Sequence, residues 1–184
     1  MHMANFKFLW VLFLIPLLIG FTNSTFNKRN ETGRPIPPKI GDVAPDINLP
    51  STDRSVNYSL SELKGKLVLV NFWASMVAQC RFENPNLVAA YNNFKDKSFQ
   101  SGNGFAIFSV SMDTDLNNWK NGIQKDKLIW QHHVSDLQGY DSKVVNDYGV
   151  KVIPFNYLID GNGIILAINL KGAELAKALD AQLK

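Results

Sequence analysis

The chain has 184 residues, 46% hydrophobic and 19% charged, the balance of one ordinary globular domain with a short appendage. Its formal charge of +3 comes from the first 40 residues, where Lys7, Lys28, Arg29, Arg34 and Lys39 are set against Glu31 alone; the remainder is close to neutral. No basic stripe with interleaved aromatics supports nucleic-acid binding, and the single cysteine, Cys80, rules out an intramolecular disulfide.

Residues 8–21 are an apolar run behind Lys7, interrupted by Pro16. A helix of that length spans about 21 Å at ~1.5 Å per residue, short of a ~30 Å hydrocarbon core. Residues 1–24 are therefore expected to be a signal peptide or an uncleaved signal anchor, with export of the rest to the periplasm or another extracytoplasmic space. Lys28 and Arg29 just beyond the run weigh against that orientation. Lipoprotein processing would need a cysteine beside the run, and none is there. Residues 25–39 are polar and proline-rich and read as an extended tether, which leaves 40–184 as the folded domain.

Residues 41–50 and 56–60 each hold a short strand, with a turn between them. Residues 67–73 are a continuous apolar run broken only by Asn71, as expected of a strand covered on both faces. From Ser75 the period becomes helical through Phe82, Leu87, Val88, Tyr91 and Phe94. A helix is thus predicted to begin at or just after Met76, with Cys80 in its first turn or two. The exposed N–H groups and positive dipole end there suit an activated thiolate or a bound anion. Residues 98–104 read as a polar loop, 105–111 as a second buried strand, and 116–125 as a surface helix with Trp119 and Ile123 four apart. Residues 129–134 read as a short strand and 142–148 as a short helix. Residues 155–159 and 164–168 flank Asp160-Gly-Asn-Gly163, a hairpin signal in which Asp160 supports the turn. Residues 172–183, with Leu175, Ala176, Leu179 and Leu183 on one face, close the chain as an amphipathic helix. This order predicts an α/β fold with a mixed central sheet flanked by helices on both faces. His132 and His133 are consecutive in a strand and point to opposite faces, so they cannot hold one ion together; no metal or other cofactor is expected.

Two segments carry a resemblance. Val-Asn-Phe-Trp-Ala-Ser at 70–75 followed by Cys-Arg-Phe-Glu-Asn-Pro at 80–85 resembles the active-site segment of thioredoxin-fold proteins of the TlpA/ResA type, F-W-A-x-W-C-x-x-C-R/K-x-E-x-P. Residues 149–163, Gly-Val-Lys-Val-Ile-Pro-Phe-Asn-Tyr-Leu-Ile-Asp-Gly-Asn-Gly, resemble the segment of the same family that carries a cis proline. The two short strands before residue 67 resemble the N-terminal extension shared by TlpA/ResA-like proteins and peroxiredoxins. The similarity covers about residues 40–184 and implies a thioredoxin-like fold with that short-strand extension. It also implies a cis bond before Pro154, with the proline facing the first helix.

Aligned in this way, Cys80 takes the place of the second cysteine of C-x-x-C and Glu83 that of an acidic residue that helps proton transfer or contacts a partner. Val77 replaces the first cysteine and Met76 the tryptophan before it. In a dithiol oxidoreductase the first thiol attacks and the second resolves the mixed disulfide, so dithiol exchange by this chain alone is chemically impossible. At an ordinary pKa of ~8.5, about 3% of the Cys80 thiol would be thiolate at pH 7, and burial would lower that further. Arg81 would act in the opposite sense, although adjacent residues on a helix point in different directions.

The leading expectation is an exported relative of thiol–disulfide oxidoreductases that keeps the fold and lacks the dithiol. The alternatives are a non-catalytic module that binds a protein or peptide, and a one-cysteine peroxidase. The last is weakened because a peroxiredoxin has threonine where Val77 stands. In this fold the residue before the cis proline, here Ile153, offers its backbone to an extended partner segment. A partner is therefore expected across Met76, Val77, Ile153 and Pro154, and membrane contact only through an uncleaved N-terminal segment.

Overall fold

The computed structural model describes Glu31 and residues 35–184, so the expected signal segment and most of the tether lie outside the described residues. Asn48–Pro50 (β1) and Asn57–Ser59 (β2) pair as a short antiparallel ribbon, the expected N-terminal extension. Leu67–Trp73 (β3) is buried at all seven positions, which only a strand covered on both faces and paired on both edges can achieve. The helix after it, Ala78–Phe94 (α1), turns Cys80, Asn84, Leu87, Ala90 and Phe94 inward and runs through Pro85. Phe82 counted towards the helical period but lies on the opposite face, 80% exposed.

Residues 98–104 are not a plain loop, for Ser98–Phe99 (β4) and Gly102–Asn103 (β5) form a small hairpin. The reason is Phe99, fully buried and bridged to Leu183 near the C-terminus. Gly102 is required there, because a Cβ would come within 2.4 Å of the Gly65 carbonyl oxygen. Phe105–Ser111 (β6) is the second fully buried strand. Leu116–Lys125 (α2) is capped by Asp115, whose side chain accepts from the Asn118 N–H at 2.7 Å, and it buries Trp119 and Gly122 against the domain. His133–Val134 (β7) is shorter than the strand predicted over 129–134, and Lys143–Asp147 (α3) follows a single 3₁₀ turn. Phe155–Ile159 (β8) and Ile165–Ile168 (β9) form the hairpin around Asp160, which accepts from the Asn162 and Ile164 N–H groups. Ala173–Asp180 (α4) buries Leu175 and Leu179.

The five-stranded sheet has the order β7-β6-β3-β8-β9. β3 runs parallel to β6 and antiparallel to β8, so the sheet is mixed. Phe72 pairs with Phe155. The exit of β3 and the entry of β8 therefore share one end of the sheet, and the two segments that carry the resemblance meet there.

The two histidines separate as their alternation requires. His132 packs near Tyr58 and Phe108, while His133 is buried and stacked on Trp130 with ring centroids 5.3 Å apart. Burial pushes the His133 pKa down to about 4, against the pull of the Leu128 and Trp130 backbone groups. The folded protein then binds a proton at His133 less readily than the unfolded chain, whose histidine titrates near 6.5. Between those values the unfolded state carries the extra proton, so stability falls as pH falls from 6.5 towards 4 and is insensitive to this residue above 6.5. At ~1.4 kcal/mol per pH unit, about 2 kcal/mol should be lost by pH 5, before carboxylates dominate. His133→Phe keeps a ring against Trp130 and should flatten urea-derived stability over pH 6.5–5; an unchanged slope would assign the dependence to other groups.

Candidate functional site

β3 ends at Trp73 and α1 begins at Ala78, so residues 74–77 form the turn on which the resemblance places the attacking thiol. The Trp73 carbonyl accepts from the Met112 N–H at 2.8 Å, and the parallel register of Trp73 with Ser111 brings Asp113 alongside Ser75. Asp113 is buried, and its carboxylate accepts from the Ser75 N–H (3.0 and 3.1 Å), the Ser75 hydroxyl (2.6 Å) and the Ser111 hydroxyl (2.7 Å). α2 closes on the same turn: a Cβ on Gly122 would stand 2.6 Å from the Ser75 Cβ.

Arg81 points away from Cys80 towards the end of α2. Its guanidinium pairs with Asp126 and donates through Nη1 to the Ser75 carbonyl at 3.1 Å, while Asn84 donates to Asp126 at 2.6 Å. Burial raises the proton affinity of Asp126, and the hydrogen bonds from Arg81 and Asn84 outweigh it, so the carboxyl sits below its ordinary pKa. The charge of Arg81 is thus committed to a clamp on the turn and does not activate the thiol.

Val77 is the N-cap of α1 and is half-buried, whereas Met76 is 77% exposed. Cys80 is the third helical residue and is 0% exposed. Burial pushes its pKa up to about 11, with a hydrogen bond to the Ala74 backbone opposing and the Asp113 charge reinforcing the shift. At pH 7 about one molecule in ten thousand carries a thiolate there. The activation expected of a thiol at a helix start does not arise, because this side chain faces the core and not the exposed first-turn N–H groups.

Glu83 is spoken for as well. Its carboxylate accepts from the Gly172 N–H at 2.7 Å, just before α4, and from Asn86 at 3.2 Å; no hydrogen bond joins it to Cys80. The Ile153–Pro154 peptide is cis, and Ile153 is buried while Pro154 is half-buried. Among the described residues the N–H and C=O of Ile153 have no hydrogen-bond partner. Val152 beside it is 71% exposed, an apolar residue that sequence reasoning did not single out. Asp113 was missed too, although a Ser-x-Asp that begins on the last residue of the buried strand β6 was the available signal. Among the described residues, no three His, Cys, Asp or Glu side chains gather to hold a metal ion.

The sequence pattern of the AhpC/TSA family matches residues 40–168. The chain is 31% identical over 151 residues to the thiol-disulfide oxidoreductase ResA of Oceanobacillus iheyensis, covering 79% of this chain and 71% of that protein. It is 29% identical over 175 residues to the thioredoxin-like protein YneN of Bacillus subtilis, covering 92% and 93%. Among solved structures, the thioredoxin domain of a thiol-disulfide oxidoreductase from Bacteroides vulgatus aligns with a TM-score of 0.70 at 35% identity, covering 78% of this chain and 97% of that one. The fold is thioredoxin-like.

Proposed function

The chain belongs to the AhpC/TSA family, and from that premise we propose that it is an exported, redox-inactive relative of the thiol–disulfide oxidoreductases that holds an extended segment of a partner protein. The observation that carries this reading is the pairing of Val77, which has no nucleophile, with a Cys80 that is fully buried and protonated. A thiol in that state neither attacks a disulfide nor reaches a peroxide, so the one-cysteine peroxidase is the weaker reading. The apolar run at residues 8–21 supports export, with membrane contact through that segment if it stays uncleaved.

Binding draws on what the missing cysteine leaves untouched. Met76 and Val77 follow β3 and Val152 and Pro154 precede β8 at the same end of the sheet, where they would make an apolar rim, and the backbone of Ile153, unpartnered among the described residues, would add a partner strand by main-chain hydrogen bonds. Specificity then comes from side chains that alternate into the rim, and no electron transfer is needed.

Met76→Glu combined with Val77→Asp should abolish capture of a partner from the extracytoplasmic fraction. The melting temperature should stay within about 2 °C, because Met76 is exposed and aspartate is a good N-cap. Capture that survives both charges would put the binding surface elsewhere, while insulin reduction by the unaltered protein would overturn the redox-inactive reading.

A further inference from the structure

α1 turns a face without charge to solvent. Arg81 and Glu83 are the only charged residues in this helix, and both are held by the domain, Arg81 on Asp126 and Glu83 on the Gly172 N–H. Every exposed residue of α1 is therefore uncharged, and among them Phe82 is 80% exposed. Its neighbours differ: α2 exposes Lys120 and Lys125, and α4 exposes Glu174, Lys177 and Asp180. Absence of charge around an exposed aromatic ring is the composition found at the centre of protein interfaces.

The same face is complementary to itself. Residues seven apart on a helix lie on one side of it, two turns or about 10 Å along the axis. Phe82 and Ala89 therefore stand on one line, a large side chain at one end and a small one at the other, both exposed. Pro85 and Asn86, also exposed, lie between them on either side of that line. A two-fold axis through this midpoint runs a second α1 antiparallel to the first and sets each Phe82 against Ala89 of the other copy, so both hollows are filled at once, as an isologous contact requires. At the usual interaxial distance of about 8–10 Å, alanine leaves room for the ring and a longer side chain would not. The side-chain amides of Gln79, Asn86 and Asn93 can each donate and accept, so like groups can meet across the axis. A charged partner finds no countercharge on this face, whereas a second copy meets no repulsion.

We propose that two copies of this chain pair through α1 in this antiparallel arrangement, with Phe82 seated on Ala89 in both halves. One helix from each copy makes an interface at the small end of specific contacts, so the dimer should dissociate at about 10–100 µM. The test is sedimentation equilibrium of the full chain in mild detergent, from about 5 to about 500 µM. A monomer–dimer equilibrium is expected. Phe82→Glu, which removes the ring, and Ala89→Arg, which fills the hollow and leaves the ring in place, should each weaken it at least about tenfold. Both positions are exposed, so the melting temperature should stay within about 2 °C in either variant. A chain that is monomeric over the whole range, or a dimer that either variant leaves unaltered, would overturn the proposal. A monomer whose capture of a different protein is lost in Phe82→Glu would overturn it too, and give the face to that protein.

Discussion

Val77→Cys is expected to give the protein a disulfide-exchange activity that it otherwise lacks. Residue 77 caps α1, and the Cys80 N–H donates to its carbonyl at 3.0 Å, so the two side chains are one helical turn apart. Cα atoms three residues apart on a helix are about 5 Å apart, inside the roughly 4.4–6.8 Å that a disulfide spans. A thiol at the cap would sit beside the Ala78 and Gln79 N–H groups, unpaired among the described residues, where pKa values near 7 are usual, whereas burial holds Cys80 at about 11. Thiolate at pH 7 then rises from about one molecule in ten thousand to about half, and the lower intrinsic nucleophilicity of the more acidic thiol returns roughly two of those orders of magnitude. The net expectation is insulin reduction that rises with enzyme concentration, where the unaltered protein, whose thiol is buried, gives only the uncatalysed background. Cys80 would then lose its proton and resolve the mixed disulfide, leaving a 77–80 disulfide for dithiothreitol to reduce. Adding Met76→Trp should bring the rim closer to the family pattern. A variant that forms the disulfide yet turns over no insulin would show that the groove itself has diverged.

The features legible in the sequence were those whose cause is local or carried by a strong motif. β3 and β6 were readable because a strand buried on both faces must be apolar throughout, and α2 because Trp119 and Ile123 repeat at helical spacing within one run. The β8–β9 hairpin announced itself through Asp160 and the glycines after it. The β4–β5 hairpin did not, since its anchor is a single Phe99 that meets Leu183 from the far end of the chain. Nor did the exposure of Phe82: apolar identity put it on the helical period, but its angular position is opposite Asn84 and Leu87, which face the core. At the site, the loss of the first cysteine and its replacement by Val77 could be read from one line of sequence. The commitment of Arg81 to Asp126 and of Glu83 to Gly172 could not, because each is a hydrogen bond between segments dozens of residues apart. Charges that look available in a motif are held by partners that only the fold supplies.

Asp113 is the sharpest case of such a partner, and Asp113→Ala should be among the most damaging single substitutions in the domain. The carboxylate is buried and takes the Ser75 N–H, the Ser75 hydroxyl and the Ser111 hydroxyl. Truncation leaves those donors without an acceptor in a site too enclosed for free hydration, and each buried donor left unpaired costs about 1–3 kcal/mol. The hydroxyls can rotate to other acceptors but the Ser75 N–H cannot, so the expected loss is about 2–4 kcal/mol, short of the simple sum. For a domain of this size that is a fall of roughly 5–15 °C in melting temperature. Asp113→Asn keeps one acceptor oxygen for Ser75 and should lose about half as much. The damage should also be local before it is global, since Asp113 ties residues 74–77 to the β6–α2 connection. Amide exchange at Ser75, Met76 and Val77 should therefore accelerate in Asp113→Asn at temperatures where the β3 amides stay protected. Partner capture should weaken with it, in contrast to the Met76 and Val77 substitutions, which remove the contacts and leave the fold intact. If Asp113→Ala melts within about 2 °C of the unaltered protein, the carboxylate does not hold the turn, and the rigidity of the rim must come from Arg81, Asp126 and the close approach of Gly122.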